Sequence, residues 1–207
     1  MAAAAITLQD LVTDAASAVE AVDRRRPQAR SARGGRVYQP GIGPHTESST
    51  IKLVAAEMAS SNPGRYGHHA VGVAYLDDTR RKCDLCIGDG VTRWEWAFEA
   101  KLLRLLGDNG RPNDSMITHI VSPYDQHRSA LTDSVKLTEN APAARGAVLI
   151  LGYDYDGLPM DPAIEAFETL ARSRVELGRR FDAGFSGLCH PVHQRGRVLA
   201  WEVIAKR

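Results

Sequence analysis

The sequence predicts an α/β (α+β) domain, a single mixed β-sheet with a three-strand antiparallel meander, flanked by helices. Three observations predict it. Apolar residues recur at helical spacing near 46–60 and 161–177, strand-like segments with alternating residues fill 70–103, and 147–153 (AVLILGY) is a continuous apolar run. Such a run is expected of a strand covered on both faces, so helices must lie on each side of the sheet. The 207 residues suffice for one such domain with a sizeable core.

Taken in order, Leu8, Leu11, Val12, Ala15, Val19 and Val22 form an apolar stripe, with Asp10, Asp14, Glu20 and Asp23 on other faces. This is a short amphipathic helix that must bury its stripe against the main domain or a second subunit. Six arginines (24, 25, 26, 30, 33 and 36) follow with no acid among them, interleaved with Pro27, Ser31, Gly34 and Gly35. That composition predicts a mobile linker. Residues 1–40 are therefore expected to be an N-terminal helix with an Arg-rich linker, and 41–207 the main domain. Thr46 caps a helix over 46–60, ended by Asn62-Pro63-Gly64. Strands are predicted at 70–76, 82–87 and 92–103, with a turn at Gly88-Asp89-Gly90. In the third, Trp94, Trp96, Phe98 and Ala100 share one face, and Glu95, Ala97, Glu99 and Lys101 the other. Residues 107–114 are dense in turn formers, and a helix is predicted over 125–137. After the 147–153 strand, Asp161-Pro162 reads as an N-cap with Pro at the first helical position, and Gly178 as the C-cap. A last strand pair is predicted at 187–192 and 197–204 around a turn at 194–196.

Composition narrows the function. With 43% apolar and 25% charged residues the chain is an ordinary folded protein, not a disordered one. No apolar run approaches the roughly 20 residues of a membrane-spanning helix, so no membrane partner is expected. Residues 1–5 lack a basic n-region, so no signal peptide is expected. Three cysteines cannot all pair within one chain, which points to a reducing cytoplasm. The net charge of +1 excludes a uniformly basic nucleic-acid binder, yet it averages a +6 arginine segment and a −5 remainder. The arginine segment is either a solubilising stretch or an arm, led by Arg24, Arg25 and Arg26, that contacts phosphates.

The chemistry concentrates on two neighbouring strands. Period-2 geometry sets Glu99 and Lys101 side by side, and Asp84 on the adjoining strand can face Glu99. Converging carboxylates are the hard oxygen ligands Mg²⁺ requires. An ammonium beside them suits phosphodiester hydrolysis, orienting water or stabilising the charge of the crowded phosphate. Alternating Glu and Lys on a strand are also the ordinary signature of a solvated face.

Asp84-Leu85-Cys86-Ile87, then fifteen residues on, Glu99-Ala100-Lys101, resembles the PD-(D/E)XK nuclease superfamily with its restriction-endonuclease-like core. The predicted order of helix, meander, helix and strand over 46–153 matches the order of that core. The resemblance implies metal binding by Asp84 and Glu99, assistance of the attacking water by Lys101, and completion of the metal site by Glu47 on the first core helix. Glu57, further along, is the lesser candidate. Cys83 stands where the family often has proline. The resemblance further implies a cytoplasmic nuclease using Mg²⁺ or Mn²⁺ on DNA, with a homodimer as one arrangement for paired cuts. Arg128 and Lys136, eight residues apart and thus on one helical face, are the candidates for substrate contact on the next helix, with Asp133 a partner for Lys136. Glu95 shares the face of Glu99 but lies further from Lys101.

Two other readings compete. A non-catalytic nucleic-acid- or protein-binding module would keep the fold and not the activity, with the arginine arm contributing and the carboxylates structural. Alternatively, Cys83, Cys86, Cys189, His190 and His193 supply the residue types of a structural zinc site. Against zinc, residues three apart on a strand point to opposite faces, and Pro191 predicts an edge position with satisfied or exposed histidines. No phosphate-binding loop is present, Gly41-Ile42-Gly43 lacks the third glycine of a dinucleotide fingerprint, and Gly184-Phe185-Ser186-Gly187 is one residue short of a nucleophile elbow.

Overall fold

A computed structural model describes residues 5–31, 34–88, 94–113 and 115–206. Seven strands form one mixed sheet in the order β1-β2-β3-β4-β7-β5, with β6 also paired to β7. The chain runs α1 (Leu8–Arg24), α2 (Glu47–Ser61), α3 (Pro63–Tyr66), β1 (His69–Ala74), β2 (Lys82–Gly88) and β3 (Trp94–Leu103). It continues through α4 (Ser115–Val121), α5 (Ala130–Asn140), β4 (Ala143–Tyr153), α6 (Asp161–Arg174), β5 (Glu176–Leu177), β6 (Phe181–Phe185) and β7 (Gly196–Ile204). The predicted meander is present: β1, β2 and β3 are successively antiparallel, β4 runs parallel to β3, and β7 is antiparallel to β4. Among the described residues no helix is long and apolar enough to cross a membrane.

Alternation along β3 assigns the layers. The Trp96 indole donates to the Ile6 carbonyl beside α1, whereas Glu99 and Lys101 pair with Lys136 and Asp133 of α5. Residues of opposite parity on a strand face opposite ways, so α1 and α5 cover opposite faces of the sheet. Both faces of β3 are consequently buried from Trp96 to Leu103, and Glu99 and Lys101 are not on a solvated face.

Several predicted boundaries change. The turn at Asp89 and Gly90 and the strand start at Thr92 lie outside the described residues. The predicted helix over 125–137 is a 3-10 turn (Asp125–His127) followed by α5, whose N-cap is Ser129. Arg128 between them has φ 46, in the left-handed region, so the one-face argument joining it to Lys136 does not hold. Helix α4 was not predicted. Met160, not Asp161, occupies the N-cap of α6, and α6 ends at Arg174 because Glu176–Leu177 pair with β7. The penultimate long strand is Phe181–Phe185, and residues 187–195 form a loop.

The arginine-rich segment is not a structureless linker where it is described. Arg25 pairs with Glu57 of α2, Arg30 and Val37 form a β-bridge, and Ala29 is buried. Leu8, Leu11, Val12 and Val19 belong to the same hydrophobic core as the sheet. The boundary expected near residue 40 is therefore not a break in packing. The stripe of α1 is covered by its own chain, and a dimer contact through that stripe has no surface left to use.

Asp161 has another partner: Arg197 of β7 binds both Asp161 (2.9 and 3.0 Å) and Asp154 (3.0 and 3.1 Å). One planar guanidinium thus ties the start of α6 to the end of β4. Arg197→Ala is expected to remove about 2–3 kcal/mol, lowering Tm by roughly 5–10 °C in a thermal melt followed by circular dichroism.

Candidate active site

The β2–β3 ladder is regular from Leu85↔Phe98 toward Ile87↔Trp96, and continuing that register sets Asp84 opposite Glu99. There β2 leaves the ladder, and two β3 amides find carboxylates in place of a strand. Ala100 N–H donates to Asp84 Oδ2 at 2.8 Å, and Leu102 N–H to Glu47 Oε2 at 3.1 Å. Each acid therefore compensates a backbone group that the opened sheet leaves behind. Glu47 stands at the first turn of α2, positioned by the Thr46 cap. Glu47 lines the cleft, whereas Glu57 is engaged with Arg25.

On the α5 side, Glu99 Oε1 accepts from the Tyr75 hydroxyl (2.6 Å) and from Lys136 Nζ (2.8 Å). Lys101 Nζ lies 2.7 Å from Asp133 and 3.6 Å from Glu47, and Lys136 Nζ lies 3.0 Å from the other Asp133 oxygen. Four carboxylates (Glu47, Asp84, Glu99, Asp133) thus face two ammonium groups (Lys101, Lys136). Glu99 is only 2% exposed. Burial, then the charges of Asp133 and Asp84, push its carboxyl up to about 8 despite Lys136. Burial likewise raises Glu47, against the pull of Lys101. Burial alone would lower Lys101, but Asp133, Glu47 and Asp84 outweigh it and hold the ammonium protonated.

These groups line one cleft of about 1020 Å³. Arg128 and Lys136 line it too, so both predicted contact residues reach the site although they do not share a helix face. Arg24, Arg25 and Arg26 do not line it. Arg25 is held at Glu57, ten residues beyond Glu47, about 15 Å along α2. Glu95 precedes the fully buried stretch of β3 and is not among the cleft residues.

Asp133 and Tyr75 were not foreseen in these roles. Asp133 followed by Lys136 gave a signal only for their own pairing, and its second partner, Lys101, comes from another element. Nothing local to Tyr75 marks its hydroxyl as a partner of Glu99.

The cysteines and histidines do not assemble a zinc site. Cys83 and Cys86 are buried in β2, and Cys83 Sγ contacts the Phe98 carbonyl at 3.2 Å. Cys189, His190 and His193 lie in the β6–β7 loop, where the Cys189 amide donates to Asp23 of α1. The histidines, expected on an edge strand, are fully buried and stacked, with ring centroids 4.7 Å apart. His193 pairs through Nε2 with Asp108 and through Nδ1 with the Tyr155 hydroxyl. This packing explains Gly43, where a Cβ would fall 2.6 Å from that of His193. Among the described residues no three His, Cys, Asp or Glu side chains are grouped to hold a metal ion. That holds for Glu47, Asp84 and Glu99 as well, each being turned to its own hydrogen bonds around the cleft.

No protein-family model, curated protein or solved structure matches the chain.

Proposed function

We infer that the chain is a cytoplasmic nuclease that hydrolyses DNA phosphodiester bonds with Mg²⁺ or Mn²⁺. The observation that carries this reading is the meeting of the Glu47, Asp84 and Glu99 carboxylates in one cleft with the Lys101 ammonium, itself held by Asp133. The Asp84 charge works against ionisation of both Glu47 and Glu99, and a hard divalent cation on their oxygens would offset that repulsion. The donor chemistry fits, with Glu47 and Asp84 supplying carboxylate oxygens beside Glu99. Asp84 is anchored through Oδ2 on the Ala100 amide, and Glu47 through Oε2 on the Leu102 amide with its Oε1 3.6 Å from Lys101 Nζ.

A bound cation supplies Lewis acidity toward the phosphoryl oxygen and toward its water. The remaining work falls to the chain. Lys101, kept protonated by Asp133 and Glu47, orients the water and counters developing negative charge; it does not abstract a proton. Lys136 and Arg128 attract the phosphodiester from the α5 side of the cleft. Three free thiols agree with a reducing location.

Cleavage of a labelled oligonucleotide is expected with Mg²⁺ or Mn²⁺ and not with EDTA. Glu99→Ala and Lys101→Ala should each lower the rate by at least about 100-fold. Cleavage that survives both substitutions overturns the assignment. Salt-dependent DNA binding by the wild type without cleavage would instead identify a binding module.

A further inference from the structure

Resting on that reading, we propose that the loop between α4 and α5 is a base-stacking platform that makes single-stranded nucleic acid the preferred substrate, with Tyr124 as the stacking ring. Tyr124 is 60% exposed, although burying an aromatic ring of its size is strongly favourable. It is not exposed for want of order. Ser122 and Ser129, both buried, fasten the loop: the Ser129 hydroxyl donates to the Ser122 carbonyl at 2.6 Å, and the Ser122 hydroxyl meets His127 Nδ1 at 2.6 Å. The Tyr124 amide donates to Ser122 Oγ, and its carbonyl accepts from the His127 amide. The ring stands edge-on to His127, centroids 5.8 Å apart.

This stiff aromatic adjoins the cleft. Asp125, Gln126, His127 and Arg128, the four residues that follow it, all line the cleft, and Arg128 holds the left-handed conformation that residues other than glycine rarely adopt. The cleft is also lined by Arg80 of the β1–β2 turn, paired with Asp78, and by Lys82 at the start of β2, both exposed. A phosphate backbone drawn into the cleft would bring a neighbouring base to the Tyr124 ring. In a duplex each base face is already covered by its neighbours, so stacking on Tyr124 requires an unpaired or frayed strand. A π-face is common to all bases, so the platform selects strandedness and not sequence.

The test is fluorescence anisotropy in EDTA, using a labelled single-stranded oligonucleotide and the same sequence annealed as a blunt duplex. Wild type should bind the single strand more tightly than the duplex. Tyr124→Ala should weaken single-strand binding by about 5- to 150-fold with little change for the duplex, and Tyr124→Trp should restore it. Because the ring is exposed, the melting temperature of the variants should be that of wild type. Equal affinity for both substrates, equal loss on both, or unchanged binding by Tyr124→Ala overturns the proposal. Failure of the nuclease reading shows separately, as an absence of divalent-dependent cleavage by the wild type.

Discussion

Lys101→Met is expected to abolish cleavage and to destabilise the fold by about 3–5 kcal/mol, lowering Tm by roughly 10 °C. Lys101 is 6% exposed and sits 2.7 Å from Asp133, itself buried. Removing the ammonium leaves Asp133 with Lys136 alone, and Lys136 is already shared with Glu99. Adding Asp133→Asn removes the stranded charge, so the double variant should recover most of the lost stability and none of the cleavage. Denaturant melts and cleavage rates of the four proteins complete the cycle. A purely structural lysine would regain both together.

Asp84→Asn carries the opposite sign. Without divalent cations it should raise stability, because it deletes a carboxylate that repels Glu47 and Glu99 while the amide oxygen still accepts from Ala100. With Mn²⁺ the order should invert. A cation at one hundred times its dissociation constant stabilises the wild type by about 2.7 kcal/mol. For a chain of this size that raises Tm by about 5–10 °C. Asp84→Asn should lose this increment together with cleavage. Differential scanning fluorimetry with and without Mn²⁺ reads both halves. A wild-type shift that persists in the variant would remove Asp84 from the metal site.

The strands that carry Asp84, Glu99 and Lys101 are legible because alternation on a strand is strictly two-fold, whereas their mutual register, which shifts between Ile87 and Gly88, is not. The mixed sheet followed from the same periodicities. The rest depends on contacts between distant segments. The second partnership of Asp133 and the hydroxyl of Tyr75 exist only once α5 lies against β3. Residues 24–31 have a linker's composition, yet Arg25 finds Glu57 and Ala29 is buried. The helix expected over 125–137 broke at Arg128, because the buried serines 122 and 129 fasten the preceding turn independently. The histidine loop has a strand's composition, yet its order comes from Asp23, Asp108 and Tyr155 and not from a ladder.

The decisive measurement is a single-turnover digestion of an oligonucleotide in ¹⁸O-labelled water, with Mg²⁺ or Mn²⁺, read by mass spectrometry of the products. One solvent oxygen should appear on the terminal phosphate released by wild type, and no product should form with EDTA or with Glu99→Ala. An intact strand in the presence of the metal, or a product phosphate free of label, would contradict hydrolysis at this cleft.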